Sequence, residues 1–178
     1  HHQAHRFKVE AGLADSATYD PSGTFSNAAH VAIVEVDVET CAVRVERFIV
    51  AEDAGRLINP VIAEGQIHGG VAQGIANALL EEIVYDATGN ILTTSLADFL
   101  PPTVHEIPPI EVHHLETLTA ASVTGAKGLG EGGTIGAPAA VLNAINDALR
   151  PLGAEINEMP ATPRRIHAAL RQARGETR

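Results

Sequence analysis

Tryptophan is absent, and the 178 residues hold only two tyrosines, four phenylalanines, one cysteine and one methionine. Each scarcity excludes something. With so few rings the core must be aliphatic, and no aromatic platform for stacking unpaired bases is expected. The lone Cys41 rules out an internal disulfide and any zinc site built of cysteines alone. Positive charge is short too: twelve Lys and Arg face twenty-two Asp and Glu, for a net charge of −10. Nucleic acid and anionic lipid both need a basic footprint, so neither is expected as the main partner. No run of about 18 or more uncharged apolar residues occurs, so no membrane span is expected. The chain opens HHQAH without a methionine, which reads as processing, a tag or excision from something longer. His1 and His2 are accordingly read as tag and not as ligands.

What is present is ordinary for a globular domain: 45% hydrophobic and 19% charged residues, with length enough for one core. In "HVAIVEVDVET", Val34, Val36 and Val38 alternate with Glu35, Asp37 and Glu39, the period of a half-buried strand. "VRVERFIV" continues as a second strand, so residues 30–50 predict an antiparallel hairpin. Further on, "VYDATGNILTTS" predicts another hairpin with Thr-Gly-Asn at its turn. "DFLPPTVHEIPPIEVHHLET" is punctuated by proline, with an edge-like strand near residues 110–115.

"NPVIAEGQIHGGVAQGIANALLEE" predicts a helix. Asn59 is placed to cap it, Pro60 suits its first position, and Ile67, Val71, Ile75 and Leu79 form one apolar stripe. Gly65, Gly69, Gly70 and Gly74 sit inside it at a cost of about 1 kcal/mol each relative to Ala. Two gains would offset that cost. Another backbone packs closely against the smooth face, or a ligand approaches it with Gln66 and Gln73 supplying amides. A later helix carries Val141, Leu142, Ile145 and Leu149 on one face with Pro138 near its start, and "ATPRRIHAALRQ" ends the chain with Thr162 as cap and Pro163 first. The tail GETR is expected to fray. Strands and helices mix without βαβ alternation. The expected class is therefore α+β, with mixed or antiparallel strands, a Gly-rich helix and a helix following a Gly-rich loop.

That loop, "GAKGLGEGGTIGAPAAVLNAINDALR", spells G-x-G-x-x-G at Gly128, Gly130 and Gly133. A dinucleotide fold needs a strand before it and an acid at the end of a second parallel strand about 20 residues later. "ASVTGAK" is a poor buried strand, Asp147 falls within the helix, and too little chain follows Glu155 to continue such a sheet. The spacing is therefore not read as NAD or FAD binding. Physically, the glycines let backbone N–H groups approach a ligand, and the helix N-terminus adds a positive field. Glu131 within that field is either a helix cap or a general base beside an anionic or oxo partner.

Together the Gly-rich helix and the Gly-rich loop resemble the C-terminal part of the molybdenum-binding large subunit of the xanthine dehydrogenase and aldehyde oxidase family. The look is nearest to the aerobic carbon monoxide dehydrogenase type. The likeness runs over residues 7–170 and includes "AHVAIVEVDVET", "AEDAGRLINP", "YDATGNILTTSLADFLPP" and "MPATPRRI". It implies a molybdenum hydroxylase that takes oxygen from water, acts on aldehydes, N-heterocycles or carbon monoxide, and works in the cytoplasm. Glu131 would be its catalytic base. Lys127, Gly128, Leu129 and Gly130 would lie against the molybdopterin, Gln66 would hydrogen-bond it, and Gly69 and Gly70 would make room. No residue of this chain is expected to ligate the metal.

The resemblance also implies what must come from elsewhere. Residues 1–178 would be the C-terminal portion of the cofactor-binding domain. The remainder of the large subunit would complete the pocket, an iron–sulfur subunit would carry the clusters, and a flavin subunit would carry FAD, since one cysteine cannot hold a cluster. Cys41 is read as incidental. The chain alone is expected to be inactive, and the rival from another class is a non-catalytic assembly module docking on a partner subunit. Among other residues, His68 is read as a hydrogen-bonded packing histidine, with lining of the cofactor site as the alternative. His113 and His114 point to opposite strand faces, and His105 lacks a spaced partner. Lys127 would reach phosphate or pterin or else be solvated, Arg164 and Arg165 open the last helix, and Asp53 orders a turn before Asn59.

Overall fold

A computed structural model describes residues 6–7, 12 and 15–176; His1 and His2 lie outside the described residues. Strands β1 (Asn27–Val36) and β2 (Val43–Asp53) form the anticipated hairpin, longer at both outer ends than the alternation alone suggested. Ile33 pairs with Arg47 but Val34 pairs with Val45, so Glu46 is the extra residue of a β-bulge. The bulge resets the phase of β2: Val45 lies inward before it, and Phe48, Val50 and Glu52 lie inward after it. Val34 and Val36 pack against the core, whereas Val38 falls in the turn beyond the strand and is exposed.

Helix α1 (Pro60–Leu79) begins where the sequence places it, and the Asn59 side chain accepts hydrogen bonds from the Val61 and Ile62 N–H groups. Ile67, Val71 and Ile75 are fully buried and Leu79 packs on their edge. The hairpin expected around residues 85–91 is reduced to one bridge, Tyr85 to Ile91. The Asp86 carboxylate takes up the Thr88 and Asn90 N–H groups and the Asn90 side-chain amide, closing a compact turn instead of extending a ladder. A single helical turn, α2 (Leu96–Phe99), follows.

Strand β3 (Ile110–Leu115) joins β2 in parallel, giving the sheet order β1-β2-β3 with α1 in the crossover. Helix α3 (Gly132–Leu149) lies on the inner face of the sheet and against α1, burying Val141, Ile145 and Leu149. Each such side chain contributes about 1.5–3 kcal/mol. Helix α4 (Pro163–Ala173), capped by the Thr162 hydroxyl, closes the core with Ile166 and Leu170. Arg165 anchors it internally, at 2.7 Å from Glu82 and donating to the Pro160 carbonyl. The tail turns back at Gly175 and Glu176, whose N–H groups reach the Gln172 and Arg171 carbonyls; the last two residues lie outside the described ones. The class is α+β. Among the described residues no helix is long and apolar enough to cross a membrane.

Candidate functional site

The glycine loop is fastened at its entry to the end of β2. The Asp53 carboxylate accepts from the Gly55 N–H at 2.9 Å, the Thr117 N–H at 3.1 Å and the Lys127 ammonium at 3.1 Å. The Lys127 N–H in turn donates to the Ala54 carbonyl at 2.8 Å. Hydrogen bonds from Thr117 and Gly55, with a smaller influence from Lys127, hold the Asp53 carboxyl well below the usual carboxylate range. Gly55 has a positive φ of 63° and sits so close to the Gly125 carbonyl that no side chain fits there. The Lys127 ammonium is thus neither solvated nor free for a phosphate; it is paired.

Four residues on, Glu131 occupies the N-cap position of α3. Its carbonyl accepts from Thr134 and Ile135, but its side chain makes no capping hydrogen bond. The cap alternative therefore fails, and the carboxylate is exposed at the loop surface. The N–H groups of Leu129, Gly130 and Glu131 have no hydrogen-bond acceptor among the described residues. A Cβ on Gly130 would meet nothing within 4 Å. Three consecutive unpaired donors at the positive end of a helix form an anion-accepting surface.

The loop separates two cavities that meet at Gly130. One, of about 580 Å³, is lined by Glu131, Gly128 and Gly130 together with Thr24, His30 and Glu52. The other, of about 350 Å³, is lined by Gln66, Lys127, Leu129 and Gly130 with Arg56 and Asn59. Glu52 and His30 are neighbours on the inner face of the hairpin and lie beneath α3. Both Glu52 oxygens and both His30 ring nitrogens are buried with no partner in hydrogen-bond geometry among the described residues. Burial pushes the Glu52 carboxyl above its usual range, against a smaller opposing influence of the Ser26 hydroxyl. Burial likewise lowers the His30 imidazole, against a smaller influence of the Gly132 backbone, so the ring stays neutral near pH 7.

The glycines divide into two kinds. A Cβ on Gly70 would lie 2.8 Å from the Thr134 nitrogen, and one on Gly74 would lie 2.5 Å from the Ala137 Cβ. These two serve the contact of α1 with α3. Gly65 and Gly69 have nothing within 4 Å of such a Cβ, and Gln66 beside them is exposed. The Gln73 amide is engaged by Glu81 at 3.0 Å. His68 is half-buried, but its Nε2 has no hydrogen-bond partner among the described residues, so the expected bond is not made at that nitrogen, and His113 and His114 are both exposed. Cys41 is buried at a φ of 58° in the hairpin turn.

A family model described as the molybdopterin cofactor-binding domain matches residues 2–108. The chain belongs to that family. It is similar to the nicotine 6-hydroxylase large subunit of Paenarthrobacter nicotinovorans, with 48% identity over 91% of this chain and 20% of that protein. It is also similar to the carbon monoxide dehydrogenase large chain of Afipia carboxidovorans, with 39% identity over 85% of this chain and 19% of that protein. Among solved structures, quinoline 2-oxidoreductase from Pseudomonas putida 86 superposes with a TM-score of 0.85 and 49% identity over 88% of this chain and 20% of that one. The chain thus spans about a fifth of the relatives it matches. The family model stops before the glycine loop, but the relatives' alignments reach across it.

The loop suits such a cofactor physically. Free amides at Leu129, Gly130 and Glu131 can meet polar or anionic atoms, open Gly130 allows close approach, and Gln66 lines the second cavity. Sequence reasoning missed Glu52 and His30 and undervalued Asp53. The signal was present in "FIVAED": Glu52 is in phase with Phe48 and Val50, the inward positions of β2. An acid there reads as solvated until the sheet acquires its helical cover.

Proposed function

We propose that this chain supplies one wall of a molybdenum-cofactor site in a hydroxylating oxidoreductase, with Glu131 as its catalytic base. One observation carries the reading. Glu131 is a helix-start carboxylate with no capping bond, facing a cavity beside three unpaired backbone donors. The cofactor, when bound, would take the electron pair as a substrate C–H and water become C–OH. Glu131 would accept a proton from the water-derived oxygen, contributing about 10²–10⁴-fold. The N–H groups of Leu129 and Gly130 would orient the cofactor, Gly128 would let it approach, and Gln66 would donate to it. Gly69 offers open space beside Gln66. Gly70 is assigned to helix packing, and Lys127 to holding the loop.

The chain would be the C-terminal portion of the cofactor-binding domain, completed by the remainder of a large subunit. Iron–sulfur clusters and FAD would sit on partner subunits and pass electrons onward. N-heteroaromatic compounds are the favoured substrate class, supported by identities of 48% and 49% to a nicotine hydroxylase and a quinoline oxidoreductase. Aldehydes and carbon monoxide are the comparison substrates.

The test is to assemble this chain with the preceding part of a large subunit and its partner subunits, then measure molybdenum content and hydroxylation of quinoline. Glu131→Gln should keep the molybdenum and lose turnover by about 10²–10⁴-fold. Undiminished turnover would remove Glu131 as base and leave the chain an assembly module. The chain by itself should show no hydroxylation.

A further inference from the structure

Resting on the reading of Glu131 as base, a second question is what aims it. We infer that the consecutive acids Glu52 and Asp53 at the end of β2 are positioning residues for Glu131, Asp53 pinning the entry of the glycine loop through Lys127 and Glu52 seating its exit beneath Gly132. Successive residues of a strand point to opposite faces. Asp53 therefore reaches the segment before the loop while Glu52 lies under the first turn of α3. The two acids hold the same loop from two sides.

At the entry, the Asp53 and Lys127 side chains are only 7% and 10% exposed and lie 3.1 Å apart. Water competes little for such a pair, and breaking it would leave an uncompensated buried charge. The Lys127 N–H to Ala54 bond and the Arg56 N–H to Gly125 bond tie the backbones together beside it. At the exit, a Cβ on Gly132 would lie 2.8 Å from a Glu52 oxygen, so the backbone of residue 132 rests directly on the carboxyl. His30 seats Gly136 one turn further on in the same way, with 3.0 Å to a Cβ built there. Between these two ends residues 128–131 are held by fewer bonds, the Gly128 N–H donating to the Thr24 hydroxyl at 3.3 Å and the Leu129 carbonyl accepting from Gly132, and they carry the free donors and the base. A base held on such short tethers is pre-organised, and a misplacement of about 1 Å is worth about 10²-fold in rate.

The experiment has two arms. Hydrogen exchange of the 178-residue chain follows the Lys127 and Gly132 amides in Asp53→Asn, Lys127→Met and Glu52→Ala. Kinetics of the assembled enzyme follow kcat, KM for quinoline and molybdenum content in the same variants. Faster exchange at Lys127 in Asp53→Asn and Lys127→Met, at Gly132 in Glu52→Ala, which removes the side chain under that glycine, and a kcat loss of about 10²-fold with KM and molybdenum retained would support positioning. Because Asp53→Asn could loosen the whole fold, Lys127→Arg is measured alongside. It keeps a cation for Asp53 and should restore most of kcat. Unchanged exchange, or loss of molybdenum with kcat per molybdenum intact, would overturn the inference and make Lys127 a cofactor contact. If Glu131→Gln is fully active while exchange responds as described, the base reading fails and the seat of the loop stands.

Discussion

Gly74 of α1 and Ala137 of α3 lie so close that a Cβ on the glycine would sit 2.5 Å from that of the alanine. Overpacking such a contact costs about 1–3 kcal/mol. Gly74→Ala should therefore lower the urea midpoint of the chain. Gly65→Ala and Gly69→Ala, in the same helix but facing open space, should raise stability by about 0.4–1 kcal/mol each. A neutral Gly74→Ala would mean that the two helices do not pack as described.

The two helix starts should respond differently to substitution. Asn59 accepts two backbone N–H bonds at the start of α1, so Asn59→Ala should cost about 0.5–2 kcal/mol. Glu131 makes no capping bond at the start of α3. Glu131→Gln should leave the denaturation midpoint where it is, and a clear loss would restore the capping role.

Opposite pH slopes should come from Glu52 and His30. The folded-state pKa of Glu52 lies above its ordinary 4.5. As pH rises from there, the unfolded chain releases that proton first and stability falls until the folded carboxyl also ionises. Glu52→Gln should thus match the parent below 4.5 and gain on it above. The folded-state pKa of His30 lies below 6.5, so the unfolded chain takes up a proton first as pH falls, and stability drops below that value. His30→Gln should match the parent above 6.5 and gain on it below. Denaturation curves across the range from acid to neutral separate the two, and parallel profiles in all three proteins would contradict both assignments.

Cys41 offers a direct probe of opening. At 3% exposure its thiol should resist alkylation in the native chain and react as the chain unfolds. Fast native labelling would mean the hairpin turn is open.

Local rules reached far into this molecule. Asn59 with Pro60, Thr162 with Pro163, and the period of four at Ile67, Val71 and Ile75 placed α1 and α4 within their own segments, because caps and stripes are local. The valines of β1 did the same for the hairpin. Glu131 and the loop were visible as a glycine run opening a helix. The bulge at Glu46 was not legible, nor was the shrinkage of the second hairpin to one bridge, since both depend on how segments meet.

The sequence by itself determined the first hairpin, the helices α1, α3 and α4, the largely aliphatic core and the loop that carries Glu131, since periodicity, capping and glycine content act over a few residues. Only the tertiary structure decided which glycines are filled and which are open, that Lys127 is spent on Asp53, and that Glu52 and His30 are buried beneath Gly132 and Gly136. These are contacts between residues far apart along the chain. Whether an acid is solvated, paired or buried depends on which backbone comes to lie over it, and no spacing within a single segment encodes that.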